Sequence, residues 1–314
     1  MSILVCGSLA YDTLLTFEDR FDQHILADQL HKISTTFRVP TMRREFGGCA
    51  GNIAYNLALL GERPLVMATV GEDFDPYREH LARLGVADRH IRTVPGQYTA
   101  QCFIISDSGG NQLMAFHPGA MEHATDNHLS EVESPVELAI VAPSGYLGCL
   151  QHCRELAEAG IPLVFDPGQE LPLFSRTELR ALVEMASYVT LNDYEAELMR
   201  ERAGLSLDDM RRQVRALIIT RGAQGAEIHV GDTLLNIPAV PLDGPALDPS
   251  GCGDAFRAGL LYGIRHGLDW HLTGRLANLL GAIKVVSRGA QNHVFDWAQL
   301  KERYQAAYNE AWPD

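Results

Sequence analysis

The second half of the chain alternates short apolar runs with longer amphipathic segments in a regular order. The apolar runs predict strands and the segments between them predict helices. The strands are expected at 138–142, 162–166, 188–191 and 216–220, and the helices at about 147–159, 176–186 and 194–202. Strands that are joined by helices lie parallel in one sheet, which the helices cover on both faces. The alternation therefore predicts an α/β fold whose ligands bind beyond the carboxyl ends of the strands.

The rest of the chain adds core elements and two insertions. Further core strands are expected at 3–7 and 65–70, core helices at 52–60, 76–84, 254–266 and 270–286, and a hairpin at 226–230 and 233–237. The insertions predict short strands at 35–39, 98–105 and 113–116, which we expect to pair into one small sheet over the carboxyl-end face. The predicted organisation is a three-layer α/β/α core with a mainly parallel sheet (1–12, 46–95 and 121–314) and a β lid (13–45 and 96–120).

The net charge argues against a nucleic-acid binder, and the positions of the lysines exclude a Walker-type phosphate loop. The formal net charge is −14, which argues against a dedicated nucleic-acid binder, since such a protein presents a basic face. The chain has three lysines, Lys32, Lys284 and Lys301, and none of them follows a glycine. A Walker-type phosphate loop needs a Gly-Lys pair and is therefore excluded. Arginines and backbone amides must supply the positive potential of any phosphate site.

Cysteine usage and hydropathy predict a cytoplasmic location. The six cysteines include no pair at CxxC spacing, which favours thiols in a reducing compartment over a metal site or a disulfide framework. We expect no signal peptide, because the first residues lack a basic segment followed by a long apolar run. No stretch approaches the roughly 18 uninterrupted apolar residues of a transmembrane span, so no membrane partner is expected.

The segment from Asp248 to Asp254 combines small residues, an acid and the start of an apolar helical run. Backbone N–H groups at such a helix start form an anion site when no side chain obstructs them. A carboxylate beside that site can take a proton from a hydroxyl while the amides hold a phosphoryl group. The alternative is an ordinary helix cap, since Asp caps helices of every kind.

Two more segments follow predicted strands at the ligand-binding edge. Asn192 and Glu195 lie three residues apart at a helix start, where they suit the waters of a Mg²⁺ ion; the alternative is a capping box. Thr220, Gly222 and Gly225 form a turn whose glycines allow the backbone to approach phosphate; the alternative is a simple strand connection.

Taken in order, these motifs resemble the ribokinase-like (PfkB) carbohydrate kinase family over the whole chain. Gly47-Gly48 with Asn52 is similar to the N-terminal signature of the family, Asn192 and Glu195 to its NxxE motif, residues 220–225 to its TxGxxG loop, and residues 248–254 to its DTxGxGD signature. Two positions depart from the last signature: Pro249 replaces the usual Thr, and Cys252 the usual Ala. We expect the anion site to survive, because Pro249 leaves the N–H groups of the next residues free.

The resemblance implies a role for each matching residue. Asp254 would be the catalytic base, and Gly251, Cys252 and Gly253 would form the anion hole. Asn192 and Glu195 would organise Mg²⁺ through water, and Thr220, Gly222 and Gly225 would line the ATP site together with Asn192, Gly251 and Gly253. Asp12, Gly47, Gly48 and Asn52 would bind the sugar hydroxyls. Asp248 and Asn292 are the candidates for a K⁺ site, because many relatives bind a monovalent cation near residues 287–292.

The acceptor is the least determined part of this interpretation. The motifs around Asp12 and Asn52 are most similar to the prokaryotic adenosine or nucleoside kinase branch, which implies phosphorylation of a purine nucleoside on its 5′-hydroxyl and a role in purine salvage. Gln112 or Asn111 would supply amides to the base, and Phe116, Phe103 or Met121 an apolar wall; the alternative is that these residues are lid core.

Three further alternatives stay open. One is a sugar kinase that acts on ribose or a fructose-like ketose, and another is a nucleoside sensor without catalysis. The intact Asp254 argues against the sensor, because a binding protein needs no base. The third concerns assembly: the lid sheet predicts either a monomer or a homodimer formed through the lid.

Overall fold

The computed structural model describes residues 2–313, except for the side chain of Ala27. The strands of this part are β1 Ser2–Cys6, β2 Ala10–Thr16, β3 Thr41–Gly47, β4 Leu65–Val70, β5 Ile91–Thr93, β6 Ala100–Ser106, β7 Gln112–His117, β8 Val136–Val141, β9 Leu163–Phe165, β10 Tyr188–Asn192, β11 Ala216–Thr220, β12 Ala226–Val230 and β13 Thr233–Ile237. The α-helices are α1 Cys49–Leu59, α2 Asp75–Arg83, α3 Tyr146–Glu158, α4 Arg176–Met185, α5 Asp193–Ala203, α6 Leu207–Gln213, α7 Cys252–Arg265, α8 Trp270–Val285 and α9 Trp297–Tyr308.

The large sheet has the strand order β13-β12-β11-β10-β9-β8-β1-β4-β5 over the described residues. The seven strands from β11 to β5 in this order run parallel, whereas β12 and β13 form an antiparallel hairpin at one edge. Parallel strands place all their carboxyl ends on one side of the sheet, which is the side where open α/β sheets bind ligands. The α/β fold class predicted from the sequence is confirmed.

Alternation along the strands explains the two helical layers. In β1, Ile3 and Val5 point into one hydrophobic core and Leu4 and Cys6 into the other, and all four side chains are buried. The first core includes residues of α1, α2, α7, α8 and α9, and the second includes residues of α3 to α6. A strand that is buried on both faces reads as a continuous apolar run, which is why β1 carries no polar residue after Ser2.

The lid is a separate four-stranded sheet with the order β3-β2-β6-β7. β2 pairs antiparallel with β3 and parallel with β6, so strands from the two insertions lie side by side in one sheet. β2 begins at Ala10, and the predicted boundary between residues 12 and 13 therefore falls inside this strand. We retain the division into core and lid as a proposal, with Asp12 on a lid strand.

The strand predicted at 35–39 is wrong, since this stretch has no regular secondary structure. The real strand is β3, which pairs with β2 from Thr41 opposite Thr16 to Gly47 opposite Ala10. Residues 35–39 lie before this register begins and have no strand beside them. Phe37 instead packs against Phe17 and Phe21, with ring centroids 5.0 and 5.1 Å apart.

Gly48 makes the turn between lid strand β3 and core helix α1. Its φ of 85° lies in the left-handed region, and a Cβ at this position would be 2.5 Å from the carbonyl oxygen of Ser8. A side chain would therefore collide with fixed backbone as well as strain its own. The close approach holds α1, and with it Asn52, against the loop that follows β1.

Within residues 2–313, no helix is both long enough and apolar enough to cross a membrane.

Candidate active site

A cleft of about 590 Å³ opens at the carboxyl ends of the parallel strands. Seven residues that the motifs predicted line it: Asn192, Glu195, Thr220, Gly222, Gly251, Gly253 and Asp254. They come from the ends of β10 and β11 and from the amino end of α7. The fold thus brings together three segments that are spread over residues 192–254 of the sequence.

The amino end of α7 presents backbone donors to this cleft. Gly251 is the N-cap in the left-handed region, with a φ of 76°. In the described part of the chain, the N–H groups of Gly251 and Gly253 have no hydrogen-bond acceptor. The N–H group of Cys252 was predicted to be free, but it donates to the carbonyl of Pro249 at 3.1 Å. The turn itself uses this donor, so only the N–H groups of Gly251 and Gly253 remain available at the position predicted for an anion hole.

Asp254 is held in place by a chain of amides. Nδ2 of Asn52 donates to Oδ2 of Asp254 at 2.8 Å, and Nε2 of Gln291 donates to Oδ1 of Asn52 at 2.9 Å. Burial raises the pKa of Asp254 to about 6, although the nearby charge of Arg257 and the Asn52 hydrogen bond both favour the ionised form. A carboxylate with a pKa near the working pH is suited to general-base catalysis.

Asp12 lies on β2 and faces the same region. A Cβ on Gly47 would be 2.5 Å from Oδ2 of Asp12, so Gly47 is the residue type that allows this approach. Burial and the negative charges of Asp248 and Glu45 raise the pKa of Asp12 to about 6. The charge of Asp12 in turn contributes to the raised pKa of Asp254, which places the two carboxyls in one electrostatic environment.

Asn192 and Glu195 form the capping box that the sequence left as an alternative. The N–H of Glu195 donates to Oδ1 of Asn192 at 2.7 Å, and the N–H of Asn192 donates to Oε2 of Glu195 at 2.8 Å. Each side chain keeps one polar atom that the cap does not use, Nδ2 of Asn192 and Oε1 of Glu195. The pKa of Glu195 is raised by burial and by the charge of Asp166.

These residues fit Mg²⁺ only as an ion that is partly hydrated. Over residues 2–313, no cluster of three or more His, Cys, Asp or Glu side chains could hold a metal by itself. Mg²⁺ in phosphoryl-transfer sites keeps several waters and uses one or two carboxylates together with substrate phosphates. The free oxygen of Glu195 in the cleft satisfies that requirement, and a cation there would relieve the repulsion from Asp166.

The predicted nucleotide turn is only partly in the cleft. Thr220 and Gly222 line it, whereas Gly225 does not. Gly225 has a φ of 92°, and a Cβ there would lie 2.1 Å from the carbonyl oxygen of Ile237. Its role in the structure is to let the turn pack against the end of β13.

Strand register separates the lid residues that were predicted to contact a base. Asp12 is opposite Cys102, which is opposite Phe116, so Phe116 shares the face of Asp12 at about 10 Å, two strand spacings away. Gln112 is on the same face, but about 13 Å further along β7. Phe103 is adjacent to Cys102 in sequence and points to the opposite face, so it cannot form the predicted wall.

Of the two remaining candidates for base contacts, one is engaged in a loop and the other is buried in a small core. Nδ2 of Asn111 donates to the carboxylate of Asp107 and stabilises the hairpin loop between β6 and β7. Met121 is buried against Ala10 and Ala100 at the base of the lid.

Arg257 and Asp166 line the cleft and were not predicted from the sequence. Nη2 of Arg257 donates to Oδ1 of Asp166 at 2.7 Å, its Nε contacts Oδ2, and both side chains are buried. Nη1 of Arg257 lies 2.7 Å from where a Cβ on Gly253 would be, directly beside the start of α7. The motif spacing gave no signal for this ion pair, because its two residues are 91 positions apart.

The K⁺ candidates are engaged in hydrogen bonds within the chain. The carboxylate of Asp248 accepts from the N–H groups of Ser250 and Gly289, at 2.9 and 2.8 Å. Nδ2 of Asn292 donates to the carboxylate of Glu45 at 2.8 Å and to the carbonyl of Arg288 at 3.0 Å. Both residues therefore tie the loop at 287–292 to its surroundings.

Comparison with known proteins agrees with this geometry. The sequence matches the pfkB family carbohydrate kinases over residues 14–297. The nucleoside kinase of Burkholderia thailandensis in complex with inosine has a TM-score of 0.89 and 48% identity, with 99% of each chain covered. Its complex with ADP-inosine gives a TM-score of 0.87 and 50% identity over 99% of this chain and 97% of that one. The nucleoside kinase of Methanocaldococcus jannaschii is 28% identical over 278 residues, 87% of this chain and 89% of that protein.

Asp12 and Asp254 should each take up a proton as the pH falls through about 6, because their raised pKa values leave them ionised only above that range. The measurement is the side-chain carboxyl shift in ¹³C NMR of protein labelled at aspartate. Two resonances should titrate about two units above the ordinary value for aspartate. Asp12→Asn and Asp254→Asn should each remove one of them. Titration of both carboxyls below pH 5 would contradict the electrostatic description of the site.

Proposed function

Because the chain belongs to the pfkB family of carbohydrate kinases and is a phosphotransferase with an alcohol as acceptor, we propose that it phosphorylates the 5′-hydroxyl of a purine nucleoside with ATP. The observation that carries this proposal is the position of Asp254, hydrogen-bonded to Asn52 beside the free N–H groups of α7. A base and an anion hole that share one helix start are the two parts that in-line phosphoryl transfer requires.

In the proposed reaction, Asp254 accepts the proton of the 5′-hydroxyl while the oxygen of that hydroxyl bonds to the γ-phosphorus. The bond from that phosphorus to the β,γ-bridging oxygen breaks, and ADP leaves. Negative charge on the transferring group is stabilised by the N–H groups of Gly251 and Gly253, which are already oriented before substrate arrives. The guanidinium of Arg257, fixed by Asp166, adds positive potential beside this hole.

The nucleotide would lie along the cleft at the ends of β10 and β11. Thr220 and Gly222 line that side, and Glu195 with Asn192 would hold the waters of a Mg²⁺ ion. When bound, this ion neutralises charge on the ATP phosphates. The chain supplies orientation: the capping box fixes Glu195 at the helix start before any ligand binds.

The sugar of the acceptor would lie between the lid and α1. Ionised Asp12 can accept hydrogen bonds from two hydroxyls, and Gly47 and Gly48 keep the adjacent backbone free of side chains. The lid face that carries Asp12 continues through Leu14, Ile104, Met114 and Phe116, which offers an apolar surface to a planar base.

Two observations favour a nucleoside over a free sugar. The B. thailandensis enzyme, about half identical over nearly the whole chain, is described in complexes with inosine and with ADP-inosine. The apolar lid face would also have no partner in a complex with ribose, since ribose fills only the space near Asp12. A ribose or ketose kinase is the second candidate, and its acceptor would use Asp12 without contacting Phe116.

Asp254→Asn should lower kcat by at least ~10²-fold, the scale of general-base catalysis, while nucleoside binding persists. Asp193→Asn is the matched control, because Asp193 lines the same cleft and the change removes one negative charge without touching the base. Steady-state ADP release with inosine or adenosine measures both variants. Near-normal turnover of Asp254→Asn, or an equal loss in Asp193→Asn, would refute the role of Asp254 as the base.

Phe116→Ala should raise the KM for inosine or adenosine by about 5- to 20-fold with little change in kcat, because it removes an apolar contact worth about 1–2 kcal/mol. Phe103→Ala is the control: it has the same chemistry on the same sheet but faces away from Asp12. The measurement is the KM for the nucleoside at saturating ATP. Equal effects of the two variants would contradict the placement of the base on this lid face.

A further inference from the structure

Lys284 is a buried lysine whose ammonium group lies under the anion hole. It stands in the last turn of α8, and its side chain is 0% exposed. Nζ donates to the carbonyl oxygen of Asp248 at 2.7 Å and to that of Ser287 at 3.1 Å. Burying an ammonium is costly unless it is well partnered, so such a residue calls for an explanation. The end of α8 contributes to the compensation, since cations are favoured at helix carboxyl ends.

The two carbonyls belong to the segments that build the anion hole. Asp248 begins the turn that ends in Asp254, and Ser287 begins the loop that packs beneath this turn. The carboxylate of Asp248 accepts the N–H of Gly289, and a Cβ on Gly251 would lie 2.9 Å from Cβ of Ala290. The ammonium therefore joins the turn to its supporting loop at the point where the amides of α7 are oriented.

Backbone carbonyl oxygens that converge on one positive charge also form the usual site of a monovalent cation. The family resemblance implied such a K⁺ site near Asp248 and Asn292. In this structure the Asp248 and Ser287 carbonyls are already bound by Nζ of Lys284. A second cation on the same oxygens would lie within a few ångströms of the ammonium and be repelled by it. The residues at this place thus do not fit an added K⁺ ion.

We propose that Lys284 serves as a built-in monovalent cation, a positioning residue that holds the anion-hole turn and makes phosphoryl transfer independent of added K⁺. The inference rests on the kinase activity of the chain but not on the identity of the acceptor. It can be tested with any acceptor that is turned over, and a failure of the nucleoside assignment would leave it unaffected.

The first test is the wild-type enzyme in buffers that contain choline as the only monovalent cation. ADP release should stay within about twofold when about 100 mM KCl replaces choline chloride, and the unfolding temperature should show no shift specific to K⁺. A wild-type enzyme that needs K⁺ for activity, or that K⁺ stabilises relative to choline, overturns the proposal. This test does not depend on any variant folding.

The second test is Lys284→Ala, which removes the ammonium and leaves space for an ion. Misplacement of the anion hole should lower kcat by about 10- to 100-fold with a smaller effect on the KM for the acceptor. K⁺ or NH₄⁺, but not choline, should then raise the kcat of the variant by at least about tenfold. The same ions should raise its unfolding temperature, because the ion binds only the folded chain. Lys32→Ala, at an exposed lysine, is the control and should resemble wild type.

Two results of the second test would contradict the proposal. One is a Lys284→Ala enzyme that keeps wild-type kcat in choline. The other is a folded but inactive variant that neither K⁺ nor NH₄⁺ rescues, because the ammonium would then be a packing element without the function of a cation.

Discussion

The candidate active site depends on the hydrogen bonds that run from Gln291 through Asn52 to Asp254. Each amide in this chain has its other end fixed: Oε1 of Gln291 is 3.0 Å from Nε2 of His80, and Asn52 stands on α1 behind the tight turn at Gly48. The core, the lid connection and helix α7 therefore meet at one carboxylate. Burial raises the pKa of Asp254, and the hydrogen bond from Asn52 fixes its orientation, so a change in any of the three parts would alter the pKa or the position of this carboxylate.

Most of the fold could be predicted from the sequence, because the parallel strands are buried on both faces and give uninterrupted apolar runs. The predictions failed where the long-range partner determines the structure. Residues 35–39 have the composition of a strand, but the pairing of β2 with this part of the chain ends at Thr16 opposite Thr41 and does not extend to them. Two helices were missed although their starts carry capping boxes, Ser206 with Asp209 in α6 and Asp296 with Gln299 in α9. These local signals were available in the sequence and could have been used.

The site was predictable to the extent that its motifs are local. Residues 251–254 lie at the start of a helix and the pair Asn192 and Glu195 at the end of β10, as the sequence predicts, yet the sequence could not show that Cys252 uses its N–H within the turn. Contacts between distant positions had no sequence signal: Asp166 pairs with Arg257, and Lys284 reaches back to the turn before α7. Arg257 and Lys284 both place positive charge beside the start of α7 in a chain of net charge −14 that has no Gly-Lys loop.

The most direct test of the account is a comparison of acceptors with Mg-ATP, in which ADP release gives kcat/KM and ³¹P NMR identifies the product. Inosine and adenosine should yield 5′-monophosphates, and their kcat/KM should exceed that of ribose by about 10²-fold, the order that additional base contacts can supply. Ribose or fructose turned over as well as the nucleosides, or a phosphate on another hydroxyl, would contradict the proposed arrangement of Asp12, Asp254 and the lid.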